Sequence, residues 1–349
     1  MPFYAELSLS AQTAYAQLLE AALGADLQRS IADLKGSFAK KTVKGATYWY
    51  YQYTEPSGAL RQVYVGPDSP ALAALRERKA RPAGFDALGP LAGSAAALGC
   101  AQILPRHARV LQRLSEYGFF RAGGVLIGTH AFLACGNMLG VHWTGAERTQ
   151  DVDFAHAGKS LSIALPTNLK LDAHQAIESL GMGLLPIRDL SAGAGGTYLN
   201  PREPDFRLDF LTTQHRGGKR PFRHPLLGLT LQPLAFMEYV LEDVHQAALF
   251  AGDLVVCVNL PAPARYALHK LLVFGERKGT FATKSAKDLQ QAASLLACLK
   301  ALRKTEVQRA WKDLLSRGKG WRTRALAGVK ALEQRYPELG AAAWLKAPG

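Results

Sequence analysis

Apolar residues recur along the chain with two different periods. Near the start, Leu18, Leu19, Ala22 and Leu23 fall at helical spacing, and Leu27, Ile31 and Leu34 continue it after Gly24. Residues three and four apart share one face of a helix, so the pattern predicts helices over residues 5–38. The texture then changes. ATYWYYQYTEPSGALRQVYVGPDS (46–69) has two β-rich arms around Glu55-Pro56-Ser57-Gly58, which predicts a hairpin with a four-residue turn. Its aromatic arm, Tyr48 to Tyr53, is read as strand-forming residues packed on a neighbour, with stacking on nucleic-acid bases as the alternative.

Residues 69–85 predict a helix ending near Pro82, and residues 86–103 show no clear period. HARVLQRLSEYGFF (107–120) is an amphipathic helix. Val125, Leu126 and Ile127 predict a short buried strand, Gly128-Thr129 its turn, and His130 to Leu139 a helix. Strands are predicted at DVDF (151–154), 160–166, 195–200, 206–213 and 254–261, with a helix at 172–181 and a basic loop at 215–225. From Pro263 onward the pattern is helical almost to the end. Strands interleaved with helices and followed by a helical tail predict an α+β fold, a mixed β-sheet core flanked by helices. The expected organisation is an N-terminal helical region with the aromatic hairpin (1–120, hairpin 46–66), a core (121–262) and a basic helical domain (263–349).

Composition narrows the choice of partner. The 349 residues are 48% hydrophobic and 20% charged, which fits a soluble globular protein. The formal net charge is +14, which favours polyanionic partners and nucleic acid first among them. No apolar run approaches the ~20 residues of a membrane span, and MPFYAELSLSAQ lacks the layout of a secretory signal. Cys100, Cys135, Cys257 and Cys298 are far apart and form no CxxC pair. They read as buried thiols in a reducing compartment rather than a zinc site. The expectation is a cytoplasmic protein that binds no membrane.

Four features carry candidate chemistry. A strand–Gly128-Thr129–helix turn lets backbone approach a phosphate at the positive end of a helix. Asp151 and Asp153 are two apart, so in a strand they stand on one face. Two adjacent carboxylates repel unless a cation lies between them, and a divalent metal is the common remedy. Asp209 lies in Arg207-Leu208-Asp209-Phe210, an acid between apolar neighbours that needs a partner if buried. That partner is either a shared metal or an ion pair with Arg207 or another basic group. Asp205 is the alternative third acid, and Asp189 a weaker rival. Finally, Lys270, Arg277, Lys284 and Lys287 crowd around a helix start, with Asp288 next to Lys287. Such cations neutralise a triphosphate, or else form a solvated helix face.

Together these features resemble the nucleotidyltransferase superfamily of the DNA polymerase β type. Arg148-Thr149-x-Asp151-x-Asp153-Phe154, with Lys270, Arg277 and Lys287-Asp288 in the tail, is similar to its bacterial toxin-type branch, the AbiEii-like nucleotidyltransferases. The resemblance spans about residues 121–292. It implies a nucleotidyltransferase-type sheet and transfer of a nucleoside monophosphate from an NTP, with pyrophosphate release. It further implies Mg²⁺ (or Mn²⁺) on Asp151, Asp153 and Asp209, which are also the catalytic acids. Gly128, Thr129, Lys270, Arg277, Lys284 and Lys287 would bind the nucleotide, with Asp288 near the base, ribose or lysine. A toxin or defence role, and with it an antitoxin or partner protein, follows from the same branch.

The acceptor is a separate question. Beyond Lys300 the tail holds Arg303, Lys304, Arg309, Lys312, Arg317, Lys319, Arg322, Arg324 and Lys330, with Trp311 and Trp321 interleaved. Phosphate neutralisation by such a surface favours RNA, with tRNA as the leading example. The alternatives are transfer to a protein or small molecule, and a non-catalytic basic RNA-binding module.

Overall fold

The computed structural model describes residues 2–27, 37–43, 45–54, 60–70, 72–73, 76–77, 87–145, 149–157, 172–189, 193–214, 218, 220–225, 227–276 and 282–346. In chain order the strands are β1 (Tyr4–Glu6), β2 (Ser37–Val43), β3 (Ala46–Thr54), β4 (Leu60–Pro67), β5 (Gly124–Ile127), β6 (Val141–Trp143), β7 (Val152–His156), β8 (Leu185–Asp189), β9 (Gly193–Asn200), β10 (Glu203–Thr213), β11 (Phe222–Arg223), β12 (Thr230–Leu234), β13 (Val244–Ala251) and β14 (Leu254–Pro261). The helices are α1 (Leu9–Leu27), α2 (Leu88–Ala97), α3 (Pro105–Glu116), α4 (Gly128–Leu139), α5 (Ala173–Glu178), α6 (Met237–Val240), α7 (Pro263–Glu276), α8 (Ala282–Leu302), α9 (Lys304–Ser316), α10 (Lys319–Arg335) and α11 (Ala341–Lys346). The fold is α+β: a mixed sheet with helices packed around it, as the sequence pattern predicts.

The central sheet runs β11-β12-β10-β7-β5, with β9 joining β10 and β8 joining β9. Strand β10 organises it. It lies parallel to β7 and β12 and antiparallel to β9. Its residues alternate strictly. Phe206, Leu208 and Phe210 are buried, while Arg207 and Asp209 are half-exposed on the opposite face. That period of two turns one face into the core and leaves the other for polar work. On the core side Phe210 stacks on Phe154 at 5.0 Å, and Phe119 meets both rings edge-on. Burying each such ring stabilises the fold by about 1.5–3 kcal/mol.

A second, smaller core forms where α1 and α2 pack on the β13–β14 hairpin, with Ala11, Tyr15, Leu18, Leu88 and Ala92 against Ala248 and Phe250. The Tyr15 hydroxyl donates to the Ala248 carbonyl at 3.1 Å. The tail helices α7 to α10 pack on one another and bury Trp311, while Trp321 is partly buried against Phe236.

Several sequence expectations need correction. Residues 5–38 are not helical throughout. Tyr4–Glu6 pairs with Val141–Trp143, and Ser37–Val43 pairs with β3. The hairpin at 46–67 is therefore two strands of a three-stranded antiparallel sheet. Strand β13 has no counterpart among the predicted strands, and it exists through its full-length pairing with β14. The predicted turn at 55–58, most of the helix at 69–85 and the strand at 160–166 lie outside the described residues, as does part of the loop at 215–225.

Candidate active site

The site begins at the end of β5. Ile127 is extended and Gly128 turns to φ +66°, opening α4. Only glycine adopts that conformation without strain. It is also the only residue that fits, because a Cβ at Gly128 would lie 2.0 Å from Oδ2 of Asp153. The antiparallel register of β5 and β7 sets Ile127 against Asp153, so the carboxylate rests on the turn itself. The first N–H groups of α4 have no partner within the helix, which places a positive dipole end at this turn. Thr129 is buried within the first helical turn. The Tyr266 hydroxyl, from α7, donates to the Gly128 carbonyl. Burial holds the Tyr266 phenol well above its ordinary range, so it remains a donor.

The parallel register of β7 and β10 sets Asp153 opposite Asp209. Asp151 sits one residue before β7, level with Arg207, and does not stand free beside Asp153. The Arg207 guanidinium donates from Nε to Asp151 Oδ1 at 3.1 Å and from Nη2 to Oδ2 at 3.0 Å. The same Nε stands 3.8 Å from Asp209 Oδ2. Arg207 is raised further into its charged range, chiefly by its hydrogen bond to Asp151. Thr197 Oγ1 donates to Asp209 Oδ1 at 2.6 Å. Asp205, four residues before Asp209 on β10, is exposed, and Asp189 ends β8, which pairs with β9 rather than with β7 or β10. Asp209 is thus the acid that the sheet brings to Asp153.

Asp151 and Asp153 face a cleft of about 200 Å³. Gly128, Thr129, Thr149, Asp151 and Asp153 form one wall. Lys270, Lys287 and Asp288, from α7 and α8, form another. Leu234, Met237, Val240 and Val273 supply an apolar side. Asp209 lies in the sheet behind the wall and does not line the cleft. Lys270 is buried, donates to Asp288 Oδ1 at 3.0 Å, and lies 4.8 Å from the Tyr266 ring centre. Arg277 lies outside the described residues, as does the side chain of Lys284.

Behind the turn, His107 of α3 and His130 of α4 share a hydrogen bond at 2.9 Å. Burial pushes His107 down to about 4 and His130 down to about 3. Both are neutral at pH 7, and one ring donates to the other. His130 is therefore a packed structural residue of α4.

The chemistry of the donor set fits a divalent ion: Asp151, Asp153 and Asp209 offer hard carboxylate oxygens. A cation already lies between two of them, the Arg207 guanidinium. Among the described residues no three His, Cys, Asp or Glu side chains converge on one point. Fit to a metal therefore requires Arg207 to yield Asp151. Tyr266, His269 and the apolar side of the cleft carry no signal in the sequence, because on a helix they read as ordinary core positions. All four cysteines are buried and none forms a disulfide. No described helix is long and apolar enough to cross a membrane.

A glycine turn beneath an acid wall, facing a wall of lysines, defines a cleft suited to a polyphosphate. A family model described as nucleotidyltransferase matches residues 105–316, more than half of the chain, and the chain belongs to that family. It is therefore an enzyme of nucleotidyl transfer, with an NTP as substrate. A solved structure of an antigenic nucleotidyltransferase-like protein from Paracoccidioides brasiliensis is similar at 16% identity, over 71% of this chain and 95% of that one, with a TM-score of 0.37. A likeness that distant says nothing about substrate or mechanism. No curated protein matches the chain.

Proposed function

We propose that the cleft transfers a nucleoside monophosphate from an NTP to a hydroxyl on RNA, with tRNA the favoured acceptor. The supporting observation is the parallel register that sets Asp153 against Asp209 and rests Asp153 on Gly128, across a cleft from Lys270 and Lys287. In this reading Gly128, Thr129, Lys270 and Lys287 hold the β- and γ-phosphates, and Arg277 and Lys284 also bind the nucleotide. Asp288 positions Lys270. The acceptor oxygen attacks the α-phosphorus, the bond to the β-phosphate oxygen breaks, and pyrophosphate leaves. Asp209 helps to activate the acceptor hydroxyl once its carboxylate turns from Thr197 and Arg207 toward the cleft.

Asp151, Asp153 and Asp209 would hold Mg²⁺ (or Mn²⁺). An ion held there would supply Lewis-acid polarisation of the α-phosphate and of the acceptor hydroxyl. Residues 121–262 act as the catalytic core, 263–349 as the acceptor-binding helical domain, and 1–120 as an accessory region. RNA is favoured by Lys304, Arg309, Lys312, Lys319, Arg322 and Lys330, all exposed on α9 and α10. Arg317 and Arg324 contribute less, since Arg317 is tied to Glu242 and Asp313 and Arg324 to Glu276. Kinship to the AbiEii-like branch, and with it a toxin role countered by an antitoxin, belongs to the same proposal.

The test is label transfer. The protein is incubated with Mg²⁺, each α-³²P-labelled NTP in turn and total cellular RNA, beside an Asp151→Ala/Asp153→Ala variant. Label in RNA that vanishes with the variant is the expected result. Label on protein instead overturns the RNA acceptor. Absence of NTP binding by the folded protein overturns the site.

A further inference from the structure

The aromatic run at residues 48–53 belongs to a sheet with two faces, and the faces differ. Residues directly opposite across antiparallel strands share a face. Trp49 and Tyr51 lie on one side, where both are buried. There Phe38 meets Tyr51 edge-on at 5.0 Å, and the Arg76 guanidinium lies 3.9 Å from the Trp49 ring centre. Tyr48, Tyr50 and Tyr64 lie on the other side. The register sets Tyr50 against Tyr64, and Lys41 against Tyr48. Tyr64 is 46% exposed, and Tyr48 and Tyr50 are half-buried. Their ring centres stand 6.2 and 5.5 Å from that of Tyr64, tilted or edge-on. In that arrangement each ring leaves part of its face uncovered, and Tyr64 is the most exposed of the three. The Lys41 ammonium lies 4.6 Å from the Tyr50 ring centre and donates to Gln62 at 2.6 Å. The three strands hold Lys40, Lys41 and Arg61 and no Asp or Glu, with Asp68 just past β4.

We propose that this outer face is a stacking platform for single-stranded RNA, an inference that rests on RNA being the acceptor. The exposed parts of these rings, Tyr64 above all, offer π-surface that an unpaired base can cover whatever its sequence. Gln52 and Gln62 are opposite one another on this face, and with the tyrosine hydroxyls they can bond base edges and the 2′-hydroxyl. Lys41 supplies the charge that meets phosphate, and no carboxylate of these strands opposes it. A duplex buries its base faces and cannot use the tyrosines, so the platform selects single strands. A protein partner could also pack on tyrosines, but a face that pairs ring surface with Lys41 and holds no carboxylate in its strands complements a polyanion with open bases, and RNA is the favoured occupant.

The test uses the full chain and a short fluorescein-labelled single-stranded RNA, beside the same sequence as a duplex, read by fluorescence anisotropy. Tyr50→Leu/Tyr64→Leu keeps apolar bulk and strand propensity while removing the rings. It is expected to weaken single-strand binding about tenfold and to leave duplex binding unchanged. A second measurement needs no variant. Wild-type protein is photocrosslinked to 4-thiouridine RNA and the crosslinked peptides are mapped, with crosslinks expected in residues 46–67. Unchanged single-strand binding in the leucine variant, with crosslinks confined to residues 304–335, would overturn the platform and leave RNA as acceptor intact. No RNA binding by the wild type, with nucleotide still transferred to another acceptor, would overturn both. Should the variant lose its fold by circular dichroism, the wild-type crosslink map decides alone.

Discussion

Replacing Arg207 by glutamine isolates the one cation that the sheet places among its acids. The guanidinium makes two hydrogen bonds to Asp151, at 3.1 and 3.0 Å, and stands 3.8 Å from Asp209. A guanidinium and a metal ion cannot occupy the same carboxylate oxygens, so the pair competes with the proposed ion. A hydrogen bond between charged partners is worth about 1.5–3 kcal/mol when shielded from solvent. The two side chains are 35% and 26% exposed, and screening at that exposure leaves about 0.5–1 kcal/mol. Wild type must give up that energy to admit a metal, whereas the Arg207→Gln variant gives up almost none. Since about 1.4 kcal/mol is a factor of ten, apparent metal affinity should rise about two- to fivefold in the variant. Loss of a positive charge from the site acts in the same direction. The assay is Mn²⁺ titration followed by electron paramagnetic resonance, which needs no turnover, with the Mg²⁺ dependence of transfer measured alongside. Unchanged or weaker Mn²⁺ affinity in the folded variant would refute the competition. Arg207 would then be a substrate contact, with turnover lowered at every metal concentration.

Gly128→Ala places a methyl group 2.0 Å from the Asp153 carboxylate in a backbone that stays at φ +66°. Transfer should fall roughly a hundredfold, and stability by about 1–3 kcal/mol, in steady-state kinetics and urea unfolding. Lys270→Met leaves Asp288 without its buried cation. It should cost about 2–3 kcal/mol and weaken binding of a fluorescent NTP, and adding Asp288→Asn should recover the stability but not the binding. The His107–His130 pair gives a pH dependence with a definite sign. Their folded values, about 4 and about 3, lie below the ordinary 6.5. The unfolded chain therefore binds more protons below that value, and stability falls as pH drops. The loss between pH 7 and pH 5 is about 2 kcal/mol per histidine. A His130→Gln variant should show a drop smaller by about that amount in denaturation at the two pH values.

The site is legible in the sequence where its signals are local. Val125–Ile127 followed by glycine, the DVDF strand and the alternation from Phe206 to Phe210 each declare themselves within a few residues. What escapes depends on pairing between distant segments. Arg207 reaches Asp151 because of a register between strands 56 positions apart in sequence, and nothing near either residue announces that register. Val244–Ala251 carries Ala-Ala-Leu-Phe, which suits a helix as well as a strand, and only its partner Leu254–Pro261 decides. Tyr4–Glu6 and Ser37–Val43 fall within a helical reading because tertiary pairing outweighs local propensity. Tyr266 occupies a core position of a helix, and its hydroxyl has meaning only once Gly128 is seen to lie beneath it.

That contact also sets a timetable for the chain during synthesis. The turn at Gly128 is made early, but the acids that face it arrive at 151, 153 and 209, and its carbonyl is capped only when Tyr266 emerges. The lysine wall waits longer still, for Lys270 to meet Asp288. Strand Tyr4–Glu6 stays without its partner until Val141–Trp143 appears, and Phe3 meets Tyr336 only near the end. Contacts of such long sequence separation form late and slowly. A nascent chain therefore carries the parts of a catalytic cleft for most of its synthesis without the cleft itself. An incomplete product that stops before Pro263 lacks Lys270, Lys287 and Asp288, the entire lysine wall.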